Sequence, residues 1–260
     1  MLLLAIATAL YAVTTILYLR HLFVFRPHTA RLASLALEAT FLVHALALAV
    51  WLGETGPSQI SRLSALLPAA IWVVVVVYLV IEARFGLHLL GSLVVPLVTI
   101  GLLVCLAAAP EHPGVPEPVR NVLLTLHVGG AVLGVGGLLL AAALSILYLV
   151  QERQLKRKRF GTLYQRLPSL DVLDRLAFRT ITVGFPFFTI AVVLGGIRAF
   201  QGGSFGTMGP AYLPAVLAWM LYGLVLQGRL LAGWRGRRAA WLVLGGLGSS
   251  CLVLAHFVVR

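Results

Sequence analysis

Seven histidines, His21, His28, His44, His88, His112, His127 and His256, are the side chains of this 260-residue sequence best suited to chemistry. Their depth within the surrounding apolar runs separates them. His21 and His28 fall in a charged segment, His88 opens an apolar run and His112 sits in a proline-rich stretch, so a solvated or interfacial role is expected for all four. His44, His127 and His256 lie inside apolar runs, where an ionisable residue is rare enough to be a functional candidate. Gly130, Gly134 and Gly137 share a helical face with His127, and that face admits either a flat ring or another helix close to the backbone. Gly245, Ser249 and Leu252 repeat the pattern before His256, and Trp51 falls on the His44 face.

Imidazoles at matching depth in a helical bundle suit a haem iron, which takes imidazole as an axial ligand in a dry interior. Zinc and copper are poorer fits, because the sequence has no HExxH, no carboxylate near these histidines within the apolar runs and no cysteine at ligand spacing. Cys105 and Cys251 stand alone in apolar runs and read as packing residues. Neither GxGxxG before a helix nor GxxxxGK[ST] occurs, so no phosphate cradle is expected. Most of the eight acidic residues fall in loops. Glu38 comes nearest to a buried position and is expected at an interface, so no relay of buried carboxylates is foreseen.

The elements that must position these histidines follow from composition. The chain is 60% hydrophobic and 11% charged, with mean hydropathy +1.01, too apolar for a soluble domain. Long apolar runs without alternation imply helices, since lipid tolerates only helices or closed barrels. The expected fold is all-α: a polytopic integral membrane bundle of about eight transmembrane helices in a single domain, 1–260. Helices are predicted over 2–19, 33–52, 66–82, 88–109, 121–150, 177–199, 211–230 and 239–259.

His127 is then expected about six residues, or about 9 Å, inside its helix, and His256 near the end of the last helix at the same face of the membrane. Sixteen of the twenty lysines and arginines lie on one side if the N-terminus is outside, leaving Arg62, Arg120, Arg198 and Arg260 on the other. N-out and C-out is the orientation that follows. The net charge of +12 thus sits in short loops and not on one soluble face, which excludes a nucleic-acid binder. The first run reads as a span and not a signal peptide, because its positive residues follow it. The basic segment 151–159, continuing to Asp171 with Ser169 as an N-cap, is expected to touch anionic headgroups or a cytoplasmic partner. The outer loops 53–65, 110–120 and 200–210 are too short for a soluble domain.

Three stretches carry a family likeness. Leu147–Lys156 followed by Leu167-Pro-Ser-Leu-Asp-Val-Leu-Asp174, then Gly184-Phe-Pro-Phe-Phe-Thr-Ile190 with Gly195-Gly196, then Trp219-Met-Leu-Tyr222 with Gly233-Trp-Arg-Gly-Arg-Arg238 and a last helix closing on His256, resemble the cytochrome c assembly family of CcsA, CcmC and HemX-like membrane proteins. The resemblance covers the chain from the fifth helix onward and the first half by topology. It implies haem handling at the outer leaflet for cytochrome c maturation, with His127 and His256 matching the outer pair of axial ligands to a b-type, non-covalent haem. His44 is similar to the family's first intramembrane histidine, as a second-site ligand or part of the path haem follows. The loop 200–213 has no tryptophan where haem-presenting members carry a WWD-type signature, and the seventh helix has no histidine to partner His44. The likeness therefore points to the HemX-like or YpjD-like branch, a haem-handling accessory protein more than a complete cytochrome c synthetase. It further implies a bacterial inner membrane, and partners among other cytochrome c maturation proteins or a haem-synthesis enzyme at the basic segment. A b-type electron carrier and a cofactor-free regulatory or structural subunit remain the alternative classes.

Overall fold

The computed structural model describes residues 2–24, 27–55, 63–107, 118–158, 164–165, 167–201 and 212–259. They form eight helices: α1 Leu2–Val24, α2 Pro27–Thr55, α3 Leu63–Phe85, α4 His88–Ala107, α5 Pro118–Lys156, α6 Leu170–Gln201, α7 Tyr212–Ala232 and α8 Arg237–Val259. No strand occurs among the described residues. Six of the helices meet the length and apolarity needed to cross a bilayer over described residues, and α3 and α8, at 23 residues each, are about as long as the ~30 Å hydrocarbon core requires. The chain is a polytopic helical membrane protein. Residues 56–62, 108–117 with His112, and 202–211 of the outer loops, and the C-terminal Arg260, lie outside the described residues, whereas the flanking parts of those loops belong to the helices.

Several helices run further than hydropathy suggests. α5, at 39 residues, is about 58 Å long, and it carries Glu152 and Lys156 as an i,i+4 ion pair of 2.7 Å beyond its apolar run. α6 begins at Leu170, seven residues before its predicted start, with Asp171 paired to Arg175 in its first turns. Hydropathy marks where a helix enters lipid, whereas backbone hydrogen bonding continues into the charged ends.

The chain divides into two compact units, 1–121 and 122–260. In the first, α1 packs on α2 and α4, and α3 on α4 and α2. The buried face of α1 is Ala7, Thr8, Tyr11, Thr14, Tyr18 and His21, while Leu2, Val13, Ile16 and Phe23 point outward. This helix is inverted relative to one in a soluble protein: its polar groups are inside and its largest apolar groups outside, the arrangement that lipid as solvent demands.

In the second unit, small residues let helices touch backbone to backbone. A Cβ on Gly130 would lie 2.9 Å from the Phe187 carbonyl oxygen, one on Gly134 2.6 Å from Phe188 N, and one on Gly137 3.2 Å from Gly184 Cα. The glycine face of α5 is therefore filled by α6, and of the two occupants considered for it, a flat ring or a helix, the helix is the one found. α6 in turn meets α7 through Trp219, whose Nε1 donates to Thr189 Oγ1 at 3.0 Å and whose ring stacks on Phe185 at 6.0 Å.

The α7–α8 turn uses Gly233 and Gly236 at φ +63° and +67°, values that favour glycine. Asp174 of α6 fastens it: Oδ1 accepts from Gly236 N at 2.9 Å and Oδ2 from Arg229 Nη1 at 2.7 Å, with the guanidinium 4.3 Å above the Phe178 ring. Both partners of the ion pair are about nine-tenths buried, so each is dear to leave alone. Asp174→Ala is expected to destabilise this unit by about 3 kcal/mol, read as a lowered unfolding midpoint in detergent. An unchanged midpoint would mean that Arg229 reaches water without its partner.

Candidate functional site

The histidine side chains among the described residues have distinct environments. His127 lies nine residues past the start of α5 and faces α6, where its Nδ1 is 2.7 Å from the Ala191 carbonyl oxygen. A carbonyl can only accept, so Nδ1 carries the proton of this hydrogen bond. Gly195, one turn on from Ala191, makes room for the ring: a Cβ there would lie 2.9 Å from His127 Cε1. Gly195, of the Gly195-Gly196 pair, thus leaves space for the imidazole.

His44 belongs to the first unit. It is fully buried, with Nδ1 3.3 Å from Tyr11 Oη and the two rings edge to face at 5.6 Å. Its Nε2 is buried with no hydrogen-bond partner among the described residues. A buried polar atom left without a partner costs about 1–3 kcal/mol, and such atoms call for an explanation. His256 lies on α8 in the second unit, and its side chain is outside the described residues. On the same helix Ser249 Oγ donates to the Pro214 carbonyl at 2.7 Å, so the small-residue face before His256 is also a helix contact, with α7.

The other histidines correct the sequence reading in one respect. His28 is exposed, as expected for a solvated residue. His21 is not in a loop: it ends α1, is 2% exposed and has Nδ1 2.9 Å from Thr29 Oγ1. His88 opens α4 with its Nδ1 2.6 Å from Glu82 Oε1. That carboxylate, 5% exposed, also accepts from Tyr18 Oη at 2.9 Å and from Ser34 Oγ at 2.8 Å.

A buried carboxylate centre was the feature that sequence reasoning missed. Glu38, the residue it considered, is exposed. The signal was present in Tyr78, Glu82 and His88 flanking Gly86: spacing of four puts Tyr78 and Glu82 on one face of α3, opposite the exposed Arg84. Gly86, at φ +62°, ends α3 with its N–H on the Glu82 carbonyl at 2.8 Å and turns the chain so that His88 comes back onto Glu82. Among the described residues no group of three histidine, cysteine or acidic side chains is placed to hold a metal ion alone. Cys251 is exposed rather than packed inside the unit.

This arrangement defines a class: a helical membrane protein with imidazoles held among its helices by hydrogen bonds. Within that class the match is specific. Residues 60–260 fit the family described as cytochrome C assembly protein, and the chain belongs to that family. It is similar to the cytochrome c biogenesis protein CcsA of Trieres chinensis, 27% identical over 222 residues that cover 73% of this chain and 70% of the relative. It is likewise similar to the protein of that name from Synechococcus sp. (strain CC9902), 28% identical over 249 residues, 85% of this chain and 81% of the relative. No solved structure matches the chain. His127 and His256 fall inside the matched segment, and His44 precedes it.

Gly195→Val is expected to push the His127 ring away from Ala191, lowering the unfolding midpoint and changing the imidazole nitrogen chemical shifts in a histidine-labelled sample. Gly129→Ala, where a Cβ meets nothing within 4 Å, should change neither. Equal behaviour of the two variants would show that the Ala191 bond does not hold the ring.

Proposed function

We propose that this protein handles haem in a bacterial cytoplasmic membrane during cytochrome c assembly, binding it non-covalently through His127. The observation that carries this reading is the hydrogen bond from His127 Nδ1 to the Ala191 carbonyl. Histidines that ligate metals regularly give one ring N–H to a carbonyl or carboxylate, which fixes the tautomer and ring orientation. The bond from His127 to the Ala191 carbonyl is of that kind. Haem, when bound, would supply an iron that accepts imidazole nitrogen and a redox couple tuned by its ligands.

His256 is the proposed second ligand, on the helix that closes the same unit. His44 is a second-site ligand or a station on the path of haem: its Nδ1 lies 3.3 Å from Tyr11 Oη, and its Nε2 is buried without a hydrogen-bond partner among the described residues. The N-out orientation, argued from the basic loops, places these histidines in the outer half of the membrane and turns the basic end of α5 towards the cytoplasm, where it meets anionic headgroups and any partner of haem synthesis or cytochrome c maturation.

Purified in mild detergent after haem-supplemented expression, the protein is expected to show a low-spin haem spectrum, oxidised and reduced. The double variant His127→Ala, His256→Ala should lose most of it, and His44→Ala alone should lower haem content without abolishing the low-spin signal. Haem content unaffected by the double variant would refute the ligand assignment, and no haem in the wild type would move the histidines to packing roles.

A further inference from the structure

All four helices of the first unit contribute to the surroundings of Glu82. From α1 come Tyr18, with Oη 2.9 and 3.0 Å from the two carboxylate oxygens, and His21, whose ring meets His88 edge to face at 6.2 Å. From α2 comes Ser34, 2.8 Å from Oε1 and 3.2 Å from His88 Nδ1. α3 adds Tyr78, its ring 6.1 Å from that of Tyr18, and α4 adds His88 itself. Arg20, His28, Arg31, Glu38 and Arg84 on the same helices are exposed. Among the described residues, the charge balance around Glu82 therefore rests on one carboxyl and two imidazoles.

A carboxylate removed from water persists if its charge is paired and its lone pairs are filled, or if it holds a proton. Glu82 has both options open. Tyr18 and Ser34 carry hydroxyls that can donate to an ionised carboxylate or turn when it is protonated. His88 Nδ1, 2.6 Å away, can hold the shared proton or receive it. The imidazole also spans two environments: the His88 side chain is 37% exposed while that of Glu82 is 6% exposed. With a nitrogen on each side of its ring, His88 is a conduit between water and the buried oxygen.

We propose that Glu82 and His88 form a proton-exchange site in which the buried carboxylate takes up and releases a proton with the aqueous phase through the histidine. A proton from water binds His88 Nε2, the proton on Nδ1 passes to Glu82 Oε1, and a neutral imidazole remains beside a neutral carboxylic acid. The reverse sequence discharges the site. A fixed ion pair needs no such connection to water, and nothing in it requires the second imidazole of His21.

The site also has somewhere to lead. Above Tyr18, the buried face of α1 continues through a Thr15–Thr99 contact of 2.9 Å, a Thr14–Thr40 contact of 3.2 Å and Tyr11, ending on His44. From His21 to Tyr11 this polar face is about 15 Å long at 1.5 Å per residue. A charge that changes at His44 is thus joined by polar rungs, one helical turn apart, to a group that can take up a compensating proton. The proposal does not require haem, so it can fail without the haem reading failing, and the converse.

The test is pH-difference infrared spectroscopy on the full-length protein in detergent. The expected result is a protonated-carboxyl C=O band that grows on acidification, shifts when glutamate is carbon-13 labelled and is missing in Glu82→Gln. In His88→Phe its exchange with heavy water should slow roughly a hundredfold, the low end of what a positioned proton donor supplies. If Glu82→Gln does not fold, Tyr18→Phe identifies the band by shifting its frequency through the lost hydrogen bond. A carboxyl that stays ionised across the accessible pH range, a band indifferent to both substitutions, or an exchange rate unchanged in His88→Phe would each overturn the proposal.

Discussion

The molecule depends on lipid being its solvent. A bilayer offers no hydrogen bonds to the chain, so each polar group that the sequence places within a span must find a partner on another helix or bond back to its own backbone. α1 shows both answers: Thr8 and Thr14 bond to the carbonyls of Leu4 and Leu10 at 2.8 Å, while Tyr11, Tyr18 and His21 reach across to α2 and α3. The apolar residues that would form the core of a soluble protein are on the outside, and the core of the first unit is tyrosine, threonine, histidine and glutamate set among aliphatic side chains.

The family motifs take on physical meaning in this light. The first ends in Asp174 and the last contains Gly236, and these residues are hydrogen-bonded to one another. The middle motif supplies Phe185 and Thr189, which receive Trp219 of the next. Gly184 meets Gly137, and Gly195 leaves space for His127. Most of what makes the family recognisable along the chain is therefore the jointing of α5 to α8, the scaffold that presents histidines rather than the histidines themselves.

Helix content and membrane character were legible because apolar runs of this length admit few other readings. The ends of α5 and α6 were not, since their last turns are charged and hydropathy is blind to a helix continued in water by pairs such as Glu152 and Lys156. His44 and His127 stood out by depth alone. Glu82 did not, because a residue three places from a helix end, next to Arg84, reads as a surface group. Only the turn at Gly86 and the arrival of α1 and α2 make it interior. Depth along one helix is written in the sequence, whereas what the other helices bring to that depth is not.

The inverted face of α1 sets an order of assembly. Its tyrosines and threonines are satisfied by residues far along the chain: Thr15 meets Thr99, and Ser92 donates to the Tyr18 carbonyl at 3.1 Å. When α1 first enters the bilayer those partners have not been made, and its polar stripe must face lipid, the insertion machinery or α2 alone. α1 is thus made before its partners and is the last of its unit to be satisfied, a helix that waits in the membrane for α4 to arrive.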